Sequence, residues 1–200
     1  RIEDVKLDEK NARIIVKSRV AGPIHRHGLE CEYVYDFMPD GSFSVKVAGK
    51  PVGELPHFPR LGLQMMIPDC VDNVSWFGLG PGESYSDTKT AQRVGLFKAS
   101  VDSLMTNYLY PQENGNRSEV RRVAFYDIHM AGLMVKFDEP MNFSAHRYLP
   151  EDFDAAKHPH ELQEREDIVL NLDWKQCGIG SSSCGPQAPE KYRIMPEPFT

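Results

Sequence analysis

Apolar residues recur at every second position along much of this 200-residue chain, the period of strands that bury one face. Ala12–Val20 sets Ile14, Val16 and Val20 on one side and Lys17 and Arg19 on the other. Cys31, Tyr33, Tyr35 and Phe37 alternate with Glu32, Val34 and Asp36; Phe43, Val45 and Val47 alternate with Ser42, Ser44 and Lys46. Between these runs stands Met38-Pro39-Asp40-Gly41, where Pro fixes one φ and Gly accepts a positive one. That combination predicts a hairpin. Further strands are expected over Leu61–Ile67, Val74–Phe77, Val120–Tyr126, Leu133–Phe137, Phe143–Tyr148, Ile168–Trp174 and Tyr192–Met195. In Ile168–Trp174, the apolar Ile168, Leu170, Leu172 and Trp174 oppose Asn171 and Asp173. One short helix is expected to begin after Leu149-Pro150, whose Pro and following Glu151 and Asp152 suit a first turn, and to end before Pro159.

Many strands, Gly/Pro turns and almost no helix predict an all-β, antiparallel sandwich. Neither an internal repeat nor a linker interrupts it, and the Pro-rich stretch from Lys50 to Pro59 reads as a loop. The expected organisation is a single domain over residues 1–200, a size within the usual range of about 100–200 residues. The net charge of −6 argues against a nucleic-acid partner, which calls for a basic face. No stretch approaches the roughly 20 apolar residues of a membrane helix. Arg1-Ile2-Glu3 shows neither an initiator Met nor a signal-type apolar region, so the sequence reads as cut from a longer chain. Cys31, Cys70, Cys177 and Cys184 lack zinc-site spacing. Cys177 and Cys184 can bridge across the loop between them, but a core of this size needs no disulfide, and reduced thiols are expected.

Three segments carry most of the chemical information. In Trp76-Phe77-Gly78-Leu79-Gly80-Pro81-Gly82-Glu83-Ser84-Tyr85-Ser86-Asp87, a strand ends in a glycine-rich turn and a polar loop with an aromatic anchor. Phosphate binding there requires a helix start, whereas Pro81 and two repelling carboxylates, Glu83 and Asp87, follow. Tyr110-Pro111-Gln112-Glu113-Asn114-Gly115-Asn116-Arg117 combines an Asn-Gly turn with polar groups. These suit either a hydrogen-bonded corner or contacts to sugar hydroxyls. Cys177–Pro186, rich in Gly and Ser, follows the strongest strand. It is either a plain connection or a backbone able to approach a ligand or a neighbouring domain closely.

Together these segments resemble the C-terminal domain of glycoside hydrolase family 2 β-galactosidases, which also occurs as the small chain of two-subunit forms. Trp76–Asp87 and Tyr110–Arg117 are similar to its two signature stretches. Phe143–Tyr148, His158–Leu162, Asn171–Asp173 and the run from Gly178 to Pro186 continue the pattern in order, from about Arg60 to Tyr192. The resemblance implies a galactose-mutarotase-like antiparallel super-sandwich, with Arg1 inside the domain. It also implies a parent enzyme that hydrolyses terminal β-D-galactosides such as lactose, cytoplasmic and oligomeric, whose remaining domains or large subunit are this chain's partners.

Retaining glycosidases need two carboxyl groups about 5–5.5 Å apart. In this family both lie in the central barrel domain, as do the Mg and Na sites, so the resemblance implies neither catalytic residues nor cofactors here. Glu83, Asp87, Glu113 and Glu161 are read as turn and loop residues. Substrate contact is expected from Ser183 and Cys184, in the loop before Gly185-Pro186. Cys184 stands where the best-known bacterial members carry a Trp platform, so a large stacking surface is lost. His158 and His160, like His25 and His27, are spaced for chelation. Without an evident third ligand they are read as surface groups. Two other classes remain to be weighed: an autonomous galactose-binding module, and a mutarotase-like epimerase, for which a paired acid and base is not evident.

Overall fold

The computed structural model describes residues 1–22, 26–181 and 185–200. It is all-β: the described residues form ten strands in two antiparallel sheets, with one short α-helix. No helix among them is long and apolar enough to cross a membrane. The chain divides into two compact units, Arg1–Phe58 with Met195–Thr200, and Pro59–Ile194.

The first unit is a four-stranded sheet in the order β1-β2-β3-β4, from β1 (Ile2–Asp8), β2 (Arg13–Val20), β3 (Gly28–Phe37) and β4 (Phe43–Val52). The expected hairpin joins β3 to β4. Gly41 takes φ +84°, Met38 N–H donates to Ser42 O at 2.9 Å, and Asp40 accepts from Ser42 N–H at 2.9 Å. Phe199 pairs with Gly49 on β4 through two backbone hydrogen bonds. Its ring lies 2.1 Å from where a Cβ on Gly49 would stand, so a side chain there would push the Phe199 ring aside.

The second unit holds the core. Its sheet runs β5-β10-β9-β8-β6-β7, from β5 (Arg60–Ile67), β6 (Asn73–Gly80), β7 (Arg93–Ser100), β8 (Arg117–Tyr126), β9 (Gly132–His146) and β10 (Ile168–Gln176). Trp76, Phe125 and Phe143 are buried together, with ring centroids 5.9 Å apart for Trp76–Phe143 and 6.0 Å for Phe125–Phe143. Both contacts are edge-on, the favoured aromatic geometry. The helix α1 (Pro150–Ala155) starts where expected; Asp152 accepts from Leu149 N–H at 2.7 Å, and Phe153 packs on His146.

Three expectations need correction. The strands expected over Leu133–Phe137 and Phe143–Tyr148 are one 15-residue strand, β9. Its ladder with β8 jumps from Lys136 to Met141, and Pro140, which has no N–H to donate, sits in that irregularity. Asp138-Glu139-Pro140 has turn composition but here serves a bulge. Tyr192–Met195 is no strand: Glu190–Tyr192 forms a 3₁₀ turn closed by Tyr192 N–H to Pro189 O at 2.9 Å. β10 is not one apolar face against a wet one, since all of Ile168–Asp173 is buried. In addition, β1 and β7 had no counterpart in the periodicity. Every residue of β1 before Asp8 is exposed, and β7 turns Gly95, Phe97 and Ala99 inward, only one of them large.

Candidate functional site

The two motif-rich loops of the second unit lock into each other. Glu83 accepts hydrogen bonds from Tyr108 OH and from Gly115 N–H, the latter at 2.8 Å. Ser84 N–H donates to Asn116 O at 2.8 Å, while Ser84 O accepts from Asn116 Nδ2 and from Ser118 Oγ, both at 2.7 Å. Tyr85, the aromatic anchor, is fully buried and donates from its OH to Glu113 at 3.2 Å. Gly115 takes the positive φ, +75°, that its Asn-Gly sequence predicts. Arg117 donates to Pro81 O at 3.1 Å and Gly115 O at 2.7 Å, with its guanidinium 5.5 Å from the Trp76 ring centroid. Burial of that cation lowers it to about 10. Tyr110–Arg117 is therefore a hydrogen-bonded corner built against Trp76–Asp87.

Three side chains from adjacent strands lie beside this corner. Arg60 on β5 places Nη2 3.0 Å from Asp173 of β10 and 3.6 Å from Glu113. Burial pushes the Asp173 carboxyl up to about 6, against the pull of Arg60. Glu113 is raised for the same reason, again opposed by Arg60. His146, at the end of β9, directs Nε2 at Asn114 O, 2.9 Å away. Its burial pushes it down to about 4. A neutral ring donating Nε2–H satisfies that carbonyl. Asn171 completes the polar row, donating to Ser144 Oγ at 3.2 Å and accepting from Gln64 at 2.9 Å.

Asp87 links the first loop to the third segment. It accepts from Ile179 N–H at 3.3 Å and Gly180 N–H at 2.8 Å. Gly178 N–H donates to Tyr192 O at 2.9 Å, and Ser181 N–H donates to Pro186 O at 3.2 Å. The base of the Cys177–Pro186 loop is thus tied to Trp76–Asp87. Ser183 and Cys184, the expected substrate contacts, lie outside the described residues, and so does any Cys177–Cys184 pairing. Cys31 and Cys70 are free thiols.

All four carboxylates singled out in the sequence, Glu83, Asp87, Glu113 and Glu161, accept hydrogen bonds from protein groups. Arg60 had no assigned role in the sequence, and Asp173 and His146 entered only through motifs. The available signal was an Asn and an Asp on the polar side of the most apolar strand.

The family model described as β-galactosidase small chain matches residues 2–200. The chain belongs to that family. The β-galactosidase of Actinobacillus pleuropneumoniae is 32% identical over 191 residues, covering 96% of this chain and 18% of that protein. The β-galactosidase of Arthrobacter sp. is 34% identical over 206 residues, covering 100% and 20%. That of Kluyveromyces lactis is 31% identical over 196 residues, covering 94% and 18%. The chain therefore spans about a fifth of the length of the curated relatives it matches. The interlocked segments are the stretches by which the sequence resembles the β-galactosidase small chain.

Proposed function

We propose that this chain is the C-terminal β-sandwich portion, over residues 1–200, of a cytoplasmic, oligomeric β-galactosidase. The complete enzyme hydrolyses terminal β-D-galactosides such as lactose. The catalytic carboxylates and the Mg and Na ions belong to a barrel domain or large subunit, and this chain completes the substrate site with the Cys177–Pro186 loop. The observation that carries the reading is the Asp87 clamp: one carboxylate in the first motif holds two backbone amides at the foot of the loop. A connection without a task needs no such fixing, whereas a substrate-facing loop gains from a preset conformation.

The test is complementation. The purified chain is assayed for aryl-galactoside and lactose hydrolysis and for galactose binding, alone and with the barrel-containing portion. Activity only in the combination is the expected result; galactose binding by the chain alone would turn the assignment toward an autonomous binding module. In the combined enzyme, Asp87→Ala should lower kcat/KM for lactose about 10-fold, corresponding to roughly 1.4 kcal/mol of lost positioning. Cys184→Trp should change affinity for lactose more than for a small aryl galactoside. Equal changes, or none, would remove Cys184 from the site.

A further inference from the structure

We propose that His158, His160 and Glu161 form a solvent-facing binding site for a divalent transition metal of the zinc class. The three residues flank and occupy the 3₁₀ turn Pro159–Glu161. One ligand atom from each lies within 4.8 Å of the other two. Periodicity offered two histidines and no third ligand; the turn supplies Glu161, which in an extended strand would point away from both.

The turn is set without a metal. Glu161 N–H donates to His158 O at 3.0 Å, Leu162 N–H donates to Pro159 O at 3.2 Å, and Pro159 fixes φ between the two imidazoles. One Glu161 oxygen, Oε2, accepts from Lys157 N–H at 2.7 Å, which aims the carboxylate. The other, Oε1, lies 3.1 Å from His158 Nδ1. Tetrahedral ligands at zinc distances stand about 3.3 Å apart, so that pair already has the spacing of two ligands on one ion. The His158 and His160 rings are stacked, with centroids 5.4 Å apart and planes 19° from parallel. His160 is exposed, so its ring can reorient toward the other two ligands without displacing a packed core.

The donor set selects the ion. Two imidazoles and a carboxylate suit zinc, nickel or copper, whereas Mg prefers an all-oxygen shell. Three protein ligands leave a coordination position for water or for a side chain of another molecule.

The purified protein, stripped with chelator, is titrated with zinc chloride by calorimetry. His160→Ala and Glu161→Gln are titrated in parallel, with far-UV circular dichroism confirming the fold. Glu161→Gln keeps an oxygen that can accept from Lys157 N–H. The expected result is saturation at one zinc per chain, with affinity reduced on the order of 10-fold or more in each variant, and no displacement by magnesium. Absence of saturable binding, or a folded variant of either residue binding as tightly as the parent, would overturn the site.

Discussion

The two units of this chain make antiparallel sheets by the same ladder rules but hold them differently. In the second unit Trp76, Val74, Val120, Val123, Phe125, Phe143, Ile168 and Leu170 are all essentially inaccessible. In the first, Cys31 is the one buried hydrophobic among the described residues, while Ile2, Val5, Leu7 and Phe43 are each more than half exposed. A sheet of the second kind is stabilised by apolar transfer and close packing. One of the first kind depends on ladder hydrogen bonds and cross-strand pairs, each worth a fraction of a kcal/mol. Alternation in the sequence is similar in both. It reports which side chains share a face, and burial depends on what covers that face.

The same substitution in each unit tests this contrast. Phe143→Ala, at a fully buried position, should cost about 3–5 kcal/mol through lost transfer energy and a residual cavity. Phe43→Ala, at a residue 53% exposed and touching Phe37 at a centroid distance of 5.8 Å, should cost no more than about 1 kcal/mol. Urea unfolding followed by far-UV circular dichroism, which reports the strands of both units, gives both values, and comparable costs would erase the distinction. Amide exchange gives an independent view: β6, β8, β9 and β10 should be protected longest, and β1 least.

A second difference is electrostatic, because the second unit buries titratable groups with opposing pH dependence. Asp173 has its folded value raised to about 6. The folded state therefore binds the extra proton between pH ~4 and ~6, and this contribution, complete in acid, is lost as pH rises through 6. Glu113, also raised, adds with the same sign. His146, lowered to about 4, works the other way: its contribution is complete above pH ~6.5 and is lost as pH falls toward 4. The Asp173 and His146 contributions span about 3 kcal/mol apiece and largely cancel, leaving the parent with the downward slope that Glu113 adds. Asp173→Asn should leave stability rising with pH between 4 and 6.5, and His146→Gln should leave it falling. Identical pH profiles for the two variants would refute the opposition.

The fold was legible wherever burial followed from neighbours in sequence. The β3–β4 hairpin, β10 and the start of α1 come from alternation, Pro39-Asp40-Gly41 and Leu149-Pro150. The polar row was not legible, because Arg60, His146 and Asp173 are brought together only by the strand order β5-β10-β9. Strand order depends on pairings that no local period encodes. Asn171 and Asp173 looked like a wet face because their partners, Gln64, Ser144 and Arg60, are distant in the chain. Glu161 was missed as a companion of His158 and His160 for a related reason: a period of two puts it on the opposite side, and the 3₁₀ turn around Pro159 brings it back. The Trp76–Asp87 and Tyr110–Arg117 motifs were legible as a pair, and what the structure adds is that they bind each other.

The smallest expected effect comes from one of the ion pairs of the first unit, the counterpart to Arg60–Asp173. Arg13 donates to Asp36 at 2.5 Å and 3.1 Å across the β2–β3 ladder, a fork geometry of the stronger kind. Yet the two side chains are 42% and 33% exposed, so water and salt screen them, and little is lost when the charge goes. Asp36→Asn should leave the urea midpoint at neutral pH nearly unchanged, and any small difference should vanish in high salt. Arg60→Met faces Asp173 at 2% exposure and strands a carboxylate out of water, so it should cost on the order of 3 kcal/mol and resist salt. If Asp36→Asn proved the more damaging of the two, the first sheet would rest on its charges, and the contrast drawn from exposure would have to be abandoned.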